Sequence, residues 1–148
     1  MKSIHLAATF SLLISFFNAK ETKNYLIESE LKSKILKDYN KTIRPNETVY
    51  VLPAFQIYKI IQIDEVKEIM QSSAYFFVSW SDSRLKWEPS EHNNITEMYM
   101  PITELWKPDL YVINSADSSG FVQFSETTLA RIGWDSVLWV NIEMPSKF

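Results

Sequence analysis

A mainly β fold, an immunoglobulin-like β-sandwich led by one helix, is the architecture that this sequence predicts from three observations. Apolar residues recur every four positions in one early stretch, residues 21–39. From Thr48 onward they alternate instead, with β-branched and aromatic side chains dominating. Turn-forming clusters then break the chain at short intervals, with no internal repeat and no linker between them. At 148 residues there is length for one domain with a sizeable core and little for two.

The helix is expected over 21–39, where Ile27, Leu31, Ile35 and Tyr39 share a face and Glu28, Glu30, Lys32, Lys34 and Lys37 occupy the rest. The stretch 40–46, with Arg44-Pro45, ends it. Val49, Val51, Phe55, Ile57, Ile61 and Ile63 then form one row of a long strand. Tyr50, Leu52, Tyr58 and Ile60 add apolar bulk to the other row, which predicts partial cover on both faces. Pro53 places that strand at an edge or a bulge. Asp64-Glu65 marks a turn, and 66–80 a second long strand. Residues 81–94 read as a polar loop anchored by Leu85 and Trp87. Short strands are expected at 99–105, 110–113, 121–124 and 137–142, with a turn cluster at 114–120.

Export is expected. Lys2 precedes an apolar run over 4–17, and Asn18-Ala19 offers a small residue for cleavage. Residues 1–19 therefore read as a signal peptide and 20–148 as the mature domain. Asn40-Lys41-Thr42, Asn46-Glu47-Thr48 and Asn94-Ile95-Thr96 are acceptor sequons, so Asn40, Asn46 and Asn94 are candidate glycan sites. No later stretch approaches the ~20 apolar residues of a membrane-spanning helix.

Composition removes several classes of function. The net charge of -3 comes without a Lys/Arg stripe, so no nucleic-acid partner is expected. The chain has no cysteine, which excludes disulfides and thiolate metal sites, and its two glycines leave no phosphate-cradling loop. His92 is the one histidine after the leader, no Ser–His pair stands out, and Asp64 and Glu65 are neighbours on a turn. No catalytic residue, metal site or cofactor is expected, and the chain reads as a non-enzyme.

Two strings of residues carry a family resemblance. The first is Trp80-Ser81-Asp82 with Leu85 and Trp87. The second is Trp106-Lys107-Pro108-Asp109 followed by Asn114-Ser115-Ala116-Asp117. With Tyr39-Asn40, Arg44-Pro45 and Ile63-Asp64-Glu65-Val66, and over about 25–140, they make the chain resemble the extracellular ligand-binding domain of pentameric Cys-loop receptors. The likeness is to the nicotinic acetylcholine receptor type. By chemistry alone the tryptophans are core and Pro108-Asp109 is a turn. Asp82 is expected to hold the local backbone in the same manner.

The resemblance implies more. Partners would be receptor subunits of the same family in a pentamer-type assembly, and the ligand a small cationic neurotransmitter held by cation–π attraction in an aromatic box. Tyr75 stands five residues before Trp80, where the family usually has tryptophan, and is a ligand-binding candidate on the complementary face. Ile113 replaces the usual principal-face tyrosine before Asn114, while Tyr111, two residues away, points to the same face and is the second candidate. Asp64-Glu65-Val66 matches a membrane-facing turn of whole receptors, and its bland reading is a solvated acidic turn. The family's paired cysteines, remaining box aromatics and four membrane helices would follow Phe148, and 141–148 departs from the family's Trp-x-Pro-Pro pattern.

The expectation is therefore an incomplete sandwich, either a truncated product or a partial gene model of a channel subunit, lacking the Cys loop and the pore. Such a chain would conduct no ions alone, hold amines weakly and need a partner to cover its apolar faces. The alternative is a secreted binding or assembly-modulating module similar to acetylcholine-binding protein. Its place would be the secretory pathway and the extracellular space, or the synaptic plasma membrane as part of a receptor.

Overall fold

The computed structural model describes residues 25–113, 115 and 120–147. The leader at 1–19, and Asn114 and Asp117 of the second string, lie outside them. The fold is mainly β, as expected. Helix α1 (residues 25–36) precedes five strands: β1 (Leu52–Asp64), β2 (Ile69–Ser81), β3 (Glu97–Pro101), β4 (Leu129–Gly133) and β5 (Val137–Lys147). They form one antiparallel sheet in the order β1-β2-β5-β4-β3. A helix on a single five-stranded sheet is consistent with part of a β-sandwich.

Register separates the two faces of this sheet, because paired residues point the same way and successive ones alternate. Val78 and Trp80 of β2 lie opposite Val140 and Leu138 of β5. Those two lie opposite Ala130 and Ile132 of β4, which face Met100 and Met98 of β3. Every residue of this row is buried. Leu31 of α1 closes over it, joined by Leu85, Trp87, Ile102, Leu105 and Val122, while Ile35 and Tyr39 pack at its margin. The four-residue spacing read from the sequence is thus the buried face of α1. Trp80 meets Trp106 edge-on, with ring centroids 6.3 Å apart and planes at 77°.

Several elements differ from the sequence reading. Within the described residues α1 ends at 36 rather than 39, and residues 37–38 form a turn. β1 is not covered on both faces: every residue before Asp64 is exposed, and Phe55, Ile57, Ile60, Ile61 and Ile63 are 41–62 % accessible. It is an edge strand of the sheet, with β2 on one side. Pro53 does sit in an edge strand, and two bulges, between Ile57 and Lys59 and between Ile60 and Gln62, follow it.

β2 starts at Ile69 because 65–68 form the turn. The strand expected over 99–105 gives way to a 3₁₀ turn at Ile102–Glu104. The strands expected at 110–113 and 121–124 reduce to one bridge, Tyr111 to Phe121. β4 was not foreseen, since Leu129-Ala130-Arg131-Ile132-Gly133 has little alternating bulk and gains its pairing from remote neighbours. No helix among the described residues is long and apolar enough to cross a membrane.

Candidate functional site

The first string builds a clasp between α1 and the sheet. Asp82, fully buried, follows β2 and caps the 3₁₀ turn at Ser83–Leu85, its Oδ1 accepting the Arg84 backbone N–H at 3.1 Å. The Arg84 side chain returns as a two-pronged donor, Nε to Oδ1 at 2.8 Å and Nη2 to Oδ2 at 2.7 Å. The Tyr39 hydroxyl donates to Oδ2 at 2.8 Å and accepts the Trp106 N–H at 2.9 Å. Arg84 Nη1 donates to the Asn40 and Ile43 carbonyls, and the guanidinium lies 4.4 Å from the Tyr39 ring centre.

The first string and Tyr39 therefore meet at the Asp82 carboxylate, and the second string joins them through the Trp106 N–H on the Tyr39 hydroxyl. Asp82 has the backbone-holding role expected of it. The sequence reading missed Arg84, whose signal was a cation two residues beyond an aspartate that caps a turn. Trp87 is buried and donates its indole N–H to the Ile95 carbonyl at 2.7 Å, Leu85 and Pro108 are buried, and Asp109 is exposed.

Burial raises the Tyr39 pKa above the ordinary tyrosine value, and the Asp82 carboxylate adds to the rise against the opposing Trp106 N–H. Asp82 likewise raises Arg84, which stays charged. Because the folded Tyr39 value exceeds the unfolded one, its contribution is complete below about pH 10 and is lost as pH rises toward the folded value. Urea unfolding is expected to show stability falling above that point, and Tyr39→Phe should remove part of the fall. Tyr58, raised chiefly by its hydrogen bond to Glu143, keeps a residual slope in the variant. An alkaline slope unchanged by Tyr39→Phe would contradict this assignment.

The outer face of the sheet, opposite the core, carries one of the two candidate binding residues, Tyr75. Tyr75 lies across from Gln56 of β1 and Glu143 of β5, and Phe77 across from Ala54 and Asn141. The half-buried Tyr75 ring stacks on Tyr58, centroids 4.8 Å apart, and meets Phe77 at 6.2 Å. The Tyr58 hydroxyl donates to Glu143 Oε1. Beside this cluster an open groove of about 480 Å³ runs along Leu52, Ala54, Phe77, Tyr99, Leu129 and Trp139. The Arg131 guanidinium stands 4.5 Å over the Trp139 ring and pairs with Glu97 at 3.4 Å.

Tyr111 belongs to a different cluster. It is exposed, meets Phe121 edge-on at 5.2 Å, and lies over Gly120, where φ is +60° and a Cβ would sit 2.5 Å from the tyrosine ring. Ile113 points outward like Tyr111 and is 90 % exposed. Asn40, Asn46 and Asn94 all stand exposed, Asn46 on a bend, Asn94 on a turn and Asn40 just before the turn at 41–42, where its Oδ1 accepts the Thr42 N–H and hydroxyl. Among the described residues no cluster of three acidic, histidine or cysteine side chains is placed to hold a metal ion.

Residues 28–147 match the family model described as neurotransmitter-gated ion-channel ligand binding domain. The match extends past Val140, where the resemblance read from the motifs ended. The chain is 35 % identical over 116 residues to the acetylcholine receptor subunit alpha of Danio rerio, covering 76 % of this chain and 25 % of that one. It is 32 % identical over 118 residues to the neuronal acetylcholine receptor subunit alpha-3 of Rattus norvegicus, covering 76 % and 23 %. With the acetylcholine receptor subunit beta-type lev-1 of Caenorhabditis elegans the identity is 28 % over 134 residues, covering 87 % and 26 %. The chain thus spans about a quarter of the length of these curated relatives.

Proposed function

The chain belongs to the neurotransmitter-gated ion-channel ligand binding domain family, and from that premise we propose that it serves an acetylcholine-receptor-like subunit as the complementary side of a ligand site. The observation that carries this reading is the outer sheet face. It sets Tyr75, stacked on Tyr58, beside an apolar groove wide enough to receive side chains of a neighbouring subunit. A cationic neurotransmitter would rest against these rings by cation–π attraction, with Glu143 supplying a nearby negative charge. The principal side would come from a related subunit, since the outward residue at 113 is aliphatic and Tyr111 is committed to Phe121.

Export goes with this role. Residues 1–19 would direct the chain to the secretory pathway, and the exposed Asn40, Asn46 and Asn94 would accept glycans. Co-expression with related subunits in a secretory host tests the proposal. The chain is expected to co-purify with them, to lose apparent mass on N-glycosidase treatment and to alter agonist-evoked current. Recovery of an unglycosylated chain from the cytosol, or no association with any related subunit, would overturn it.

A further inference from the structure

A hollow of about 370 Å³ opens where the segment after α1 meets residues 102–109, and Lys41, Thr42, Thr103, Trp106, Lys107 and Asp109 help to line it. We propose that this hollow is the seat of the first sugar, an N-acetylglucosamine, of a glycan carried by Asn40. The inference rests on the glycan reading of Asn40 given above and is independent of the ligand-site proposal.

Two sets of hydrogen bonds hold the acceptor at the margin of the hollow. Its backbone carbonyl accepts Arg84 Nη1 at 3.0 Å, which fixes the main chain to the clasp. Its Oδ1 accepts the Thr42 N–H at 2.9 Å and the Thr42 hydroxyl at 2.7 Å, which fixes the side chain. Thr42 is itself part of the lining, so the Asn40 amide touches the wall of the hollow. Nδ2, the atom that bears an N-linked sugar, has no hydrogen-bond partner among the described residues. In forming that link it displaces the diphosphate of a lipid-linked oligosaccharide at the anomeric carbon and gives up one proton. Lys41 ties the same segment across the hollow, its Nζ donating to the Thr103 carbonyl at 2.8 Å. The other two acceptors are set differently. Asn46 Oδ1 accepts the Ser83 hydroxyl at 3.5 Å, Asn94 stands at φ +59°, and neither lines this hollow.

The chemistry of the lining suits a sugar. Small-molecule sites combine apolar surface with a few polar groups, in volumes of about 300–1,000 Å³. Here the half-buried Trp106 offers an indole, a flat face on which the C–H side of a hexosamine ring can lie. Lys107 and Asp109, both exposed, bring a donor and an acceptor for hydroxyl and acetamido groups. The Lys107 ammonium lies 5.2 Å from the Phe124 ring, a contact that leaves its N–H groups to be shared. Such contacts hold a free sugar weakly. A tether offsets that weakness, because a ligand joined by a short flexible link to the rim of its own site has an effective concentration on the order of millimolar. The seated sugar bridges 41–42 to 103–109, beside the hydrogen bond from the Trp106 N–H to Tyr39, and so braces the joint between α1 and the sheet.

Hydroxyl-radical footprinting read by peptide mass spectrometry tests this, on the whole chain from a secretory host that adds oligomannose glycans. Trp106 is expected to oxidise several-fold more slowly in the glycosylated chain than after complete removal of the glycans. Trimming with endoglycosidase H, which leaves a single N-acetylglucosamine on the asparagine, should preserve that protection. Asn40→Gln should abolish it, whereas Asn46→Gln and Asn94→Gln should not. The exposed Trp134 and Trp139 should oxidise alike in every form, which separates local cover from loss of folding. Equal oxidation of Trp106 with and without sugar on Asn40 would overturn the seat alone, and so would protection that is lost on trimming. An Asn40 peptide whose mass shows no sugar would overturn the seat together with the glycan reading beneath it.

Discussion

Replacing Asp82 with Ala is expected to lower the unfolding free energy by roughly 3–5 kcal/mol, the cost of removing one partner from a buried ion pair. The carboxylate has no exposure, and it accepts from the Arg84 side chain, the Arg84 backbone and Tyr39 together. Its loss strands a guanidinium that is 26 % exposed, too enclosed to recover full hydration. Against a typical total of about 5–15 kcal/mol, the change removes a large share of stability. Tyr39→Phe should cost less, about 1–2 kcal/mol, because it leaves the Trp106 N–H without its acceptor but keeps the ion pair. Urea unfolding followed by tryptophan fluorescence measures both. An Asp82→Ala loss below that of Tyr39→Phe would show that the clasp is not centred on the carboxylate.

How far the sequence revealed this arrangement depends on whether each signal was local. The face of α1 was readable because Leu31 and its four-residue neighbours repeat within one helix, and that row is what packs on the core. Asp82 was readable as a backbone-holding residue because capping acts over two positions. Its other side-chain partner, Tyr39, lies 43 residues before it, and Trp106 joins only through the Tyr39 hydroxyl; no spacing rule connects them. β4 escaped notice for the same reason, since its pairing is supplied by β3 and β5. The error over β1 had another origin. Apolar bulk on both rows states what a strand could bury and not what lies against it.

The candidate site divides along similar lines. The position of Tyr75 came from the family spacing to Trp80, and its outward direction follows from the odd interval between them, which alternation turns into opposite faces. Tyr58 was not legible as its partner, because a bulge beside it removes it from simple alternation and only the folded register brings the rings together. Glu143 and Arg131 came into view for the same reason, through cross-strand contacts.

The agonist response of receptors assembled with this chain carries the second large expected effect. A cation resting on the Tyr75 ring would gain about 0.5–2 kcal/mol, so Tyr75→Ala should raise the half-maximal agonist concentration roughly 2- to 30-fold. Tyr75→Phe keeps the ring face and should change it little, while Tyr75→Trp should lower it, since indole gives the strongest attraction. Tyr58→Ala should shift it in the same direction as Tyr75→Ala, because it removes the ring on which Tyr75 is stacked. Agonist concentration–response curves for this series, in cells co-expressing the chain with related subunits, are the most direct measurement of the proposed complementary role. Sensitivity is expected to fall in the order Trp, Tyr, Phe, Ala at position 75, and equal sensitivity across the four would contradict a ligand contact there.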